Sequence, residues 1–205
     1  PSTLQQSIVQ IGILLVQSVI NSFGSTAIAG YSAGMRIESL SIVPMLAMGN
    51  AMSTFTAQNM GAGKIDRVKE GYRMCYVIVL TAGAVLCIMY QLAGGAFVSL
   101  FLDSGSSEAY SVGLSYVKFL SFFYSFIGLK ASTDGLLRGA GDVTAFTVAN
   151  LVNLAIRVSV TNLFAPIYGI QVAWMAVPLG WAANYVISFG WYLTGKWKKV
   201  RVIKK

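Results

Sequence analysis

The chain has 205 residues, 56% of them hydrophobic and only 11% charged, with a mean hydropathy of +0.67 and a formal net charge of +8. A soluble domain carries about 25% charged residues, so this composition excludes a chain that covers its own surface in water and points to an integral membrane protein. With no histidine and two cysteines, the sequence also excludes a metal cluster, and no cofactor is expected.

Taken in chain order, six apolar runs are long enough to cross a bilayer, which takes about 20 residues. They are Leu4–Phe23, Ala27–Ala57, Met74–Leu102, Glu108–Leu137, Val143–Ala165 and Gly169–Gly195. Glycine-, serine- or proline-rich breaks separate them: "GST", "MGAGKID", "DSGSS", "RGAGD" and "APIYG". No run alternates in the manner of a β-barrel strand of about nine to eleven residues. The expected fold is all-α: a polytopic bundle of six transmembrane helices over residues 1–195, followed by a basic tail, 196–205. The chain begins at Pro1 with helix-like residues and no signal peptide, so it is expected to be part of a longer one. Cys75 and Cys87 fall on one predicted helix, roughly 18 Å apart, too far for a disulfide.

Alternate breaks fall on alternate sides of the membrane. One side holds Lys64, Arg67, Lys69, Arg73, Arg138 and the tail "KWKKVRVIKK"; the other holds Asp103 and no lysine or arginine. By the positive-inside rule the first side is cytoplasmic, and with an even number of spans both termini lie there. The net charge is thus a matter of topology, with the lipid bilayer as partner and no nucleic acid. Trp191 and Trp197 fall near the cytoplasmic interface, where aromatic belts form.

Polar residues form stripes on several spans. On the first, Thr3, Gln6, Gln10, Gln17, Asn21 and Gly24 lie within roughly 60° of one another at 100° per residue. Amides in hydrocarbon need partners, either a neighbouring helix or the water of a cavity; a stripe along the whole helix favours the cavity. The second span puts Tyr31, Gly34, Glu38, Met45, Gly49, Met52 and Thr56 on one face, with Met48 close by. Glu38 lies two to three turns into the bilayer, where a carboxylate is costly enough to mark a functional candidate. Arg36 points the other way, so it is not the local partner. The methionines offer either ordinary core packing or a deformable binding surface. Gln6, Gln10, Gln17, Asn21, Glu38, Met45, Met48 and Met52 are therefore the expected substrate-binding residues. On the fourth span Lys130 and Asp134, at i and i+4, suit either a structural pair or ion handling, beside Glu38. The fifth carries Asn150, Asn153, Arg157 and Thr161 on one face, with Arg157 deep.

"QNMGAGKIDRVKEGYR", Gln58 to Arg73, has the look of a phosphate-binding loop. It lacks the spacing G-x-x-x-x-G-K-[ST], the preceding strand and a third glycine, so it reads as a cytoplasmic turn. No histidine base, serine elbow or metal spacing remains, and an enzyme is not expected.

Three stretches carry a family resemblance: "PSTLQQSIVQIGILLVQSVINSFG", "AIAGYSAGMRIESLSIVPMLAMGNAMSTFTAQNMGAGKIDRV" and "LLRGAGDV". Together they resemble the bacterial multidrug and toxic compound extrusion (MATE) transporters over nearly the whole chain, matching the second of two six-helix lobes. The resemblance implies an antiporter in the bacterial inner membrane. It would export small, often cationic, amphiphilic compounds in exchange for protons or sodium, by rocking against a missing N-terminal lobe of the same chain. It makes Gln58, Gly61 and Gly63, and likewise Arg138, Gly139 and Gly141, corners at which helices reverse, the glycines adopting angles closed to other residues. The NorM-like branch carries acids in the first and fourth helices of this lobe; the matching positions here are Val9 and Ile127, so coupling would rest on Glu38, on Asp134 or on the missing lobe. A flippase for a lipid-linked sugar or cell-wall precursor, which wants a basic cavity, and a non-transporting membrane scaffold are the competing functions.

Overall fold

A computed structural model describes the backbone of residues 2–103 and 108–199 and the side chains of 10–103 and 108–198. Seven helices follow in order: α1 Ser2–Asn21, α2 Ser25–Gly61, α3 Ile65–Ser99, α4 Glu108–Ser121, α5 Tyr124–Gly139, α6 Val143–Tyr168 and α7 Gln171–Leu193. There is no strand among the described residues, and the chain is an all-α, multi-pass membrane protein. α2, α3, α6 and α7 are each long and apolar enough to cross a bilayer. Large apolar side chains such as Leu14, Leu40, Leu92 and Leu163 face outward, as lipid contact demands.

The fourth apolar run is not one straight helix. α4 and α5 meet at Phe122 and Phe123 with a bend of 53°, and counted as one span they make the fifth. No proline or glycine announces this break. Gln91 on α3 stabilises it, donating from Nε2 to the Lys118 carbonyl (2.8 Å) and to Ser121 Oγ (2.8 Å). Backbone groups released inside a membrane need such a partner.

α2 is the central helix, packed on α3, α4 and above all α5; α6 pairs with α7, and α1 leans on α6 while barely touching α2. Small residues allow the α2–α5 approach. A Cβ added to Gly49 would lie 2.6 Å from the Ala131 carbonyl oxygen, and one added to Gly135 would strike the Gly49 carbonyl. Spacings of four between Gly49 and Ser53, and along Ala131, Gly135 and Gly139, bring the two backbones together.

The two glycine-rich corners share one construction. The Gly63 and Lys64 amides donate to the Met60 (3.0 Å) and Asn59 (2.8 Å) carbonyls; the Gly141 and Asp142 amides donate to those of Arg138 (3.1 Å) and Leu137 (2.9 Å). Each is a Schellman close with a left-handed glycine, φ 71° at Gly63 and 85° at Gly141. The expectation for Gly61 and Gly139 needs correcting, since neither has a positive φ. Gly61 sits in the last helical turn with open space around it, and Gly139 is small because the Ser53 carbonyl lies against it. Gln58 supplies only its carbonyl, to the Ala62 amide. Arg138 ties the end of α5 to α2, donating from Nη2 to Asn50 Oδ1 at 2.8 Å. Beyond the second corner, Asp142 caps α6 through the Ala145 amide and accepts from Trp191 Nε1 at 2.6 Å.

Candidate functional site

The loose seam between α1 and α2 opens into a cavity of about 220 Å³. Gly12, Ile13, Val16 and Gln17 of α1 line it, facing Tyr31, Met35, Glu38, Ser39 and Ile42 of α2, with Leu154 and Arg157 of α6. Ile13, Met35 and Ser39 are exposed, so the cavity reaches the surface. The pairing of α1 with α6 rather than α2 explains why a gap remains there.

Glu38 sits in its wall, 8% exposed. The Tyr116 hydroxyl of α4 donates to its Oε2. Tyr116 is itself fixed by ring contacts with Tyr31, edge-on at 5.3 Å, and with Trp174 at 5.5 Å. Gly34 makes room for the Tyr116 ring. No ion pair joins Glu38 to any described residue: Arg36 lies exposed over the Phe101 ring, and Lys130 is engaged elsewhere. Arg157 shares the cavity without a hydrogen bond or ion pair to any described residue, although its charge acts on Glu38. Its aliphatic stem packs where Gly180 of α7 leaves space.

The structure divides the residues expected to bind substrate. Gln17 and Glu38 meet in the cavity. Asn21 does not line it, but accepts from Gln17 Nε2 at 2.9 Å. Gln10 is exposed and off the cavity wall, and the Gln6 side chain lies outside the described residues. The three methionines do not line this cavity. Met45 is a core residue, 1% exposed, in contact distance of Gly128, while Met48 and Met52 line a separate apolar groove of about 280 Å³ between α2 and α3. The face of α2 that carries Met45, Gly49 and Met52 is buried against α3 and α5, and only its Tyr31–Glu38 edge reaches the cavity.

Asp134 and Lys130 form a second polar centre, inside the α5–α6–α7 contact. Lys130 Nζ lies 3.0 Å from Asp134 Oδ2 and also donates to Asn150 Oδ1 at 3.0 Å. Ser188 of α7 donates to Asp134 Oδ1 at 2.6 Å. This cluster lines no described cavity, and every charge in it is answered. Sequence reasoning missed Tyr116 and Gln91. The available signal was weak: a phenol or amide inside an apolar run must find a partner, but the partner's identity is a matter of tertiary contact.

A model of the MatE family matches residues 1–164. A probable multidrug resistance protein of Bacillus subtilis, YpnP, is 28% identical over 203 residues, which cover 98% of this chain and 45% of that protein. A solved structure of an outward-facing multidrug resistance MATE family transporter of the MOP superfamily superposes with a TM-score of 0.85 at 17% identity, over 92% of this chain and 42% of that one. A structure described as inward-facing, also of a multidrug resistance MATE family transporter, gives 0.81 at 19% identity, over 98% and 48%. The chain thus spans a little under half the length of the proteins it matches.

Proposed function

Because this chain belongs to the MatE family, we propose that it is one lobe of a secondary antiporter that exports organic compounds in exchange for protons or sodium. The observation that carries this reading is Glu38: a carboxylate in the wall of a membrane-embedded cavity, held by one phenol and free of any ion pair to a described residue. A carboxylate locked in a salt bridge cannot exchange its cation; one held by a neutral donor can bind a proton or sodium ion and release it when a cationic substrate arrives. The Lys130–Asp134 pair, answered on every side, is the structural counterpart that holds α5 to α6 and α7.

In this reading the missing N-terminal lobe faces the α1–α2 seam, and the two lobes rock to open the cavity to either side of the bacterial inner membrane. The likeness of this single lobe to both an outward- and an inward-facing chain supports movement as a unit. The corner at Gly63 and the termini lie in the cytoplasm. A flippase for a pyrophosphate-linked lipid would need several bases, and one guanidinium opposite one carboxylate does not supply them.

Thiol labelling with an impermeant reagent tests the arrangement in a full-length protein otherwise free of cysteine. Arg67→Cys is expected to react only from the cytoplasmic side. Ser39→Cys, on the cavity rim, is expected to react from either side, depending on the imposed ion gradient. Labelling of Arg67→Cys from outside intact cells would overturn the topology, and a Ser39→Cys protected from both sides would overturn the aqueous cavity.

A further inference from the structure

The basic end of the bundle is built more firmly than a topology signal requires. α3 runs for 35 residues, about 52 Å at 1.5 Å per residue, whereas the hydrocarbon core is about 30 Å thick. About two turns at its start therefore stand in the headgroup layer, and Arg73, just before the apolar run that opens at Met74, marks the boundary. The far end of the described chain returns to that level. Trp197, fully buried, donates from Nε1 to the Tyr192 carbonyl (3.0 Å) and stacks on the Tyr192 ring at 5.6 Å; Tyr192 in turn packs on Tyr72 of α3 at 4.7 Å. This pin holds the 3-10 turn Lys196–Lys199 beside α3. Lys198 lies over the Trp197 ring, 5.7 Å from its centre, and its charge reaches Asp66 in the first turn of α3. Asp66 and Arg73, seven residues apart, share one face of that helix. Asp66 is already answered by Lys69 at 2.6 Å, and Glu70, the other acid of this stretch, makes no ion pair with a described residue. Arg73 and Lys198 are exposed and likewise have no ion pair to any described residue. Below Arg73 the same face turns apolar: Val77 and Leu80, 57% and 43% exposed, follow at i+4 and i+7.

We infer that this corner is a binding site for an anionic phospholipid, its phosphate held between Arg73 and Lys198 and an acyl chain lying along Val77 and Leu80. A guanidinium offers two parallel donors that fit a phosphate, and an ammonium beside it adds a point charge. Basic residues gathered at a membrane surface attract anionic headgroups. The apolar strip directly beneath them makes the occupant a lipid, since a soluble phosphate has no chain to lay there. A topology signal needs only the charges; it does not account for a buried tryptophan that holds one of them against α3.

Bimane attached at Leu80→Cys, in a full-length protein otherwise free of cysteine, reads the lipid at the strip. The protein is reconstituted in phosphatidylcholine vesicles that contain, at the same low mole fraction, either phosphatidylglycerol or phosphatidylcholine with brominated chains, which quench the dye on contact. Brominated phosphatidylglycerol is expected to quench about fivefold more effectively, and Arg73→Gln with Lys198→Gln to bring it to the level of brominated phosphatidylcholine. Arg36→Gln with Lys118→Gln removes the same charge from beside Phe101 and Gly94, toward the other end of α3, and is expected to leave the preference intact. Equal quenching by the two lipids without these substitutions, an unchanged preference once Arg73 and Lys198 are replaced, or an equal loss in the Arg36 and Lys118 control would overturn the inference. So would loss of the preference when phosphate replaces chloride at matched ionic strength, which would assign the pair to a soluble anion.

Discussion

Glu38→Gln in the full-length protein is expected to retain fold and expression, and to reduce ion-driven export to the level of passive leak. The glutamine keeps a carbonyl oxygen where Glu38 accepts from Tyr116, so the contact between α2 and α4 survives. What disappears is the exchangeable negative charge in the cavity wall. The competing account makes Glu38 a permanent structural counter-ion. Removing one partner of a buried pair costs about 3–5 kcal/mol, so that account requires a destabilised variant. The structure favours the first outcome, because no ion pair holds Glu38 to a described residue and the nearby lysine is already matched to Asp134. Export and thermal midpoint measured on the same preparation separate the two. A stable variant with undiminished export would remove Glu38 from coupling and move the search to Asp134 or to the remainder of the full-length protein.

Gly135→Val is expected to cost at least about 3 kcal/mol, the upper end of overpacking penalties, and to prevent the lobe from assembling. The reason is geometric. An added Cβ would meet the carbonyl of Gly49, and a helix backbone inside the bundle has no rotamer by which to retreat. The α2–α5 seam would have to open, and with it the positions of Glu38 on one helix and of the Asp134 cluster on the other. Gly61→Ala serves as the control, since nothing lies near that Cβ. Monodispersity in detergent and thermal midpoint report the difference; a Gly135→Val protein as stable as wild type would contradict the close crossing.

Of the six expected spans, four helices and the bent α4–α5 pair were legible because bilayer thickness fixes the length of an apolar run, and the corners because each carries a glycine that can take a left-handed conformation. Glu38 was legible because its cost in the membrane singles it out. The bend at Phe122 and Phe123 was not, since it depends on Gln91 of another helix and on no local breaker. That the methionines lie off the Glu38 cavity was not legible for a related reason. A helical wheel sorts residues into faces but does not say which neighbour covers a face, and α5 covers the one that holds Met45. The amide stripe divided likewise: Gln17 turns into the seam, whereas Gln10 remains on the surface. Arg157 was recognised as deep, but its shared cavity with Glu38 follows only from α1 leaning on α6.

Coupled export itself is measured most directly in proteoliposomes of the full-length protein. These are loaded with a fluorescent amphiphile and subjected in turn to an imposed proton gradient and an imposed sodium gradient at zero membrane potential. At least one of the two gradients should drive the compound against its own concentration difference, and Glu38→Gln should abolish that uphill component while leaving downhill leak unchanged. Flux that follows the substrate gradient alone, indifferent to both ions, would contradict antiport by this lobe.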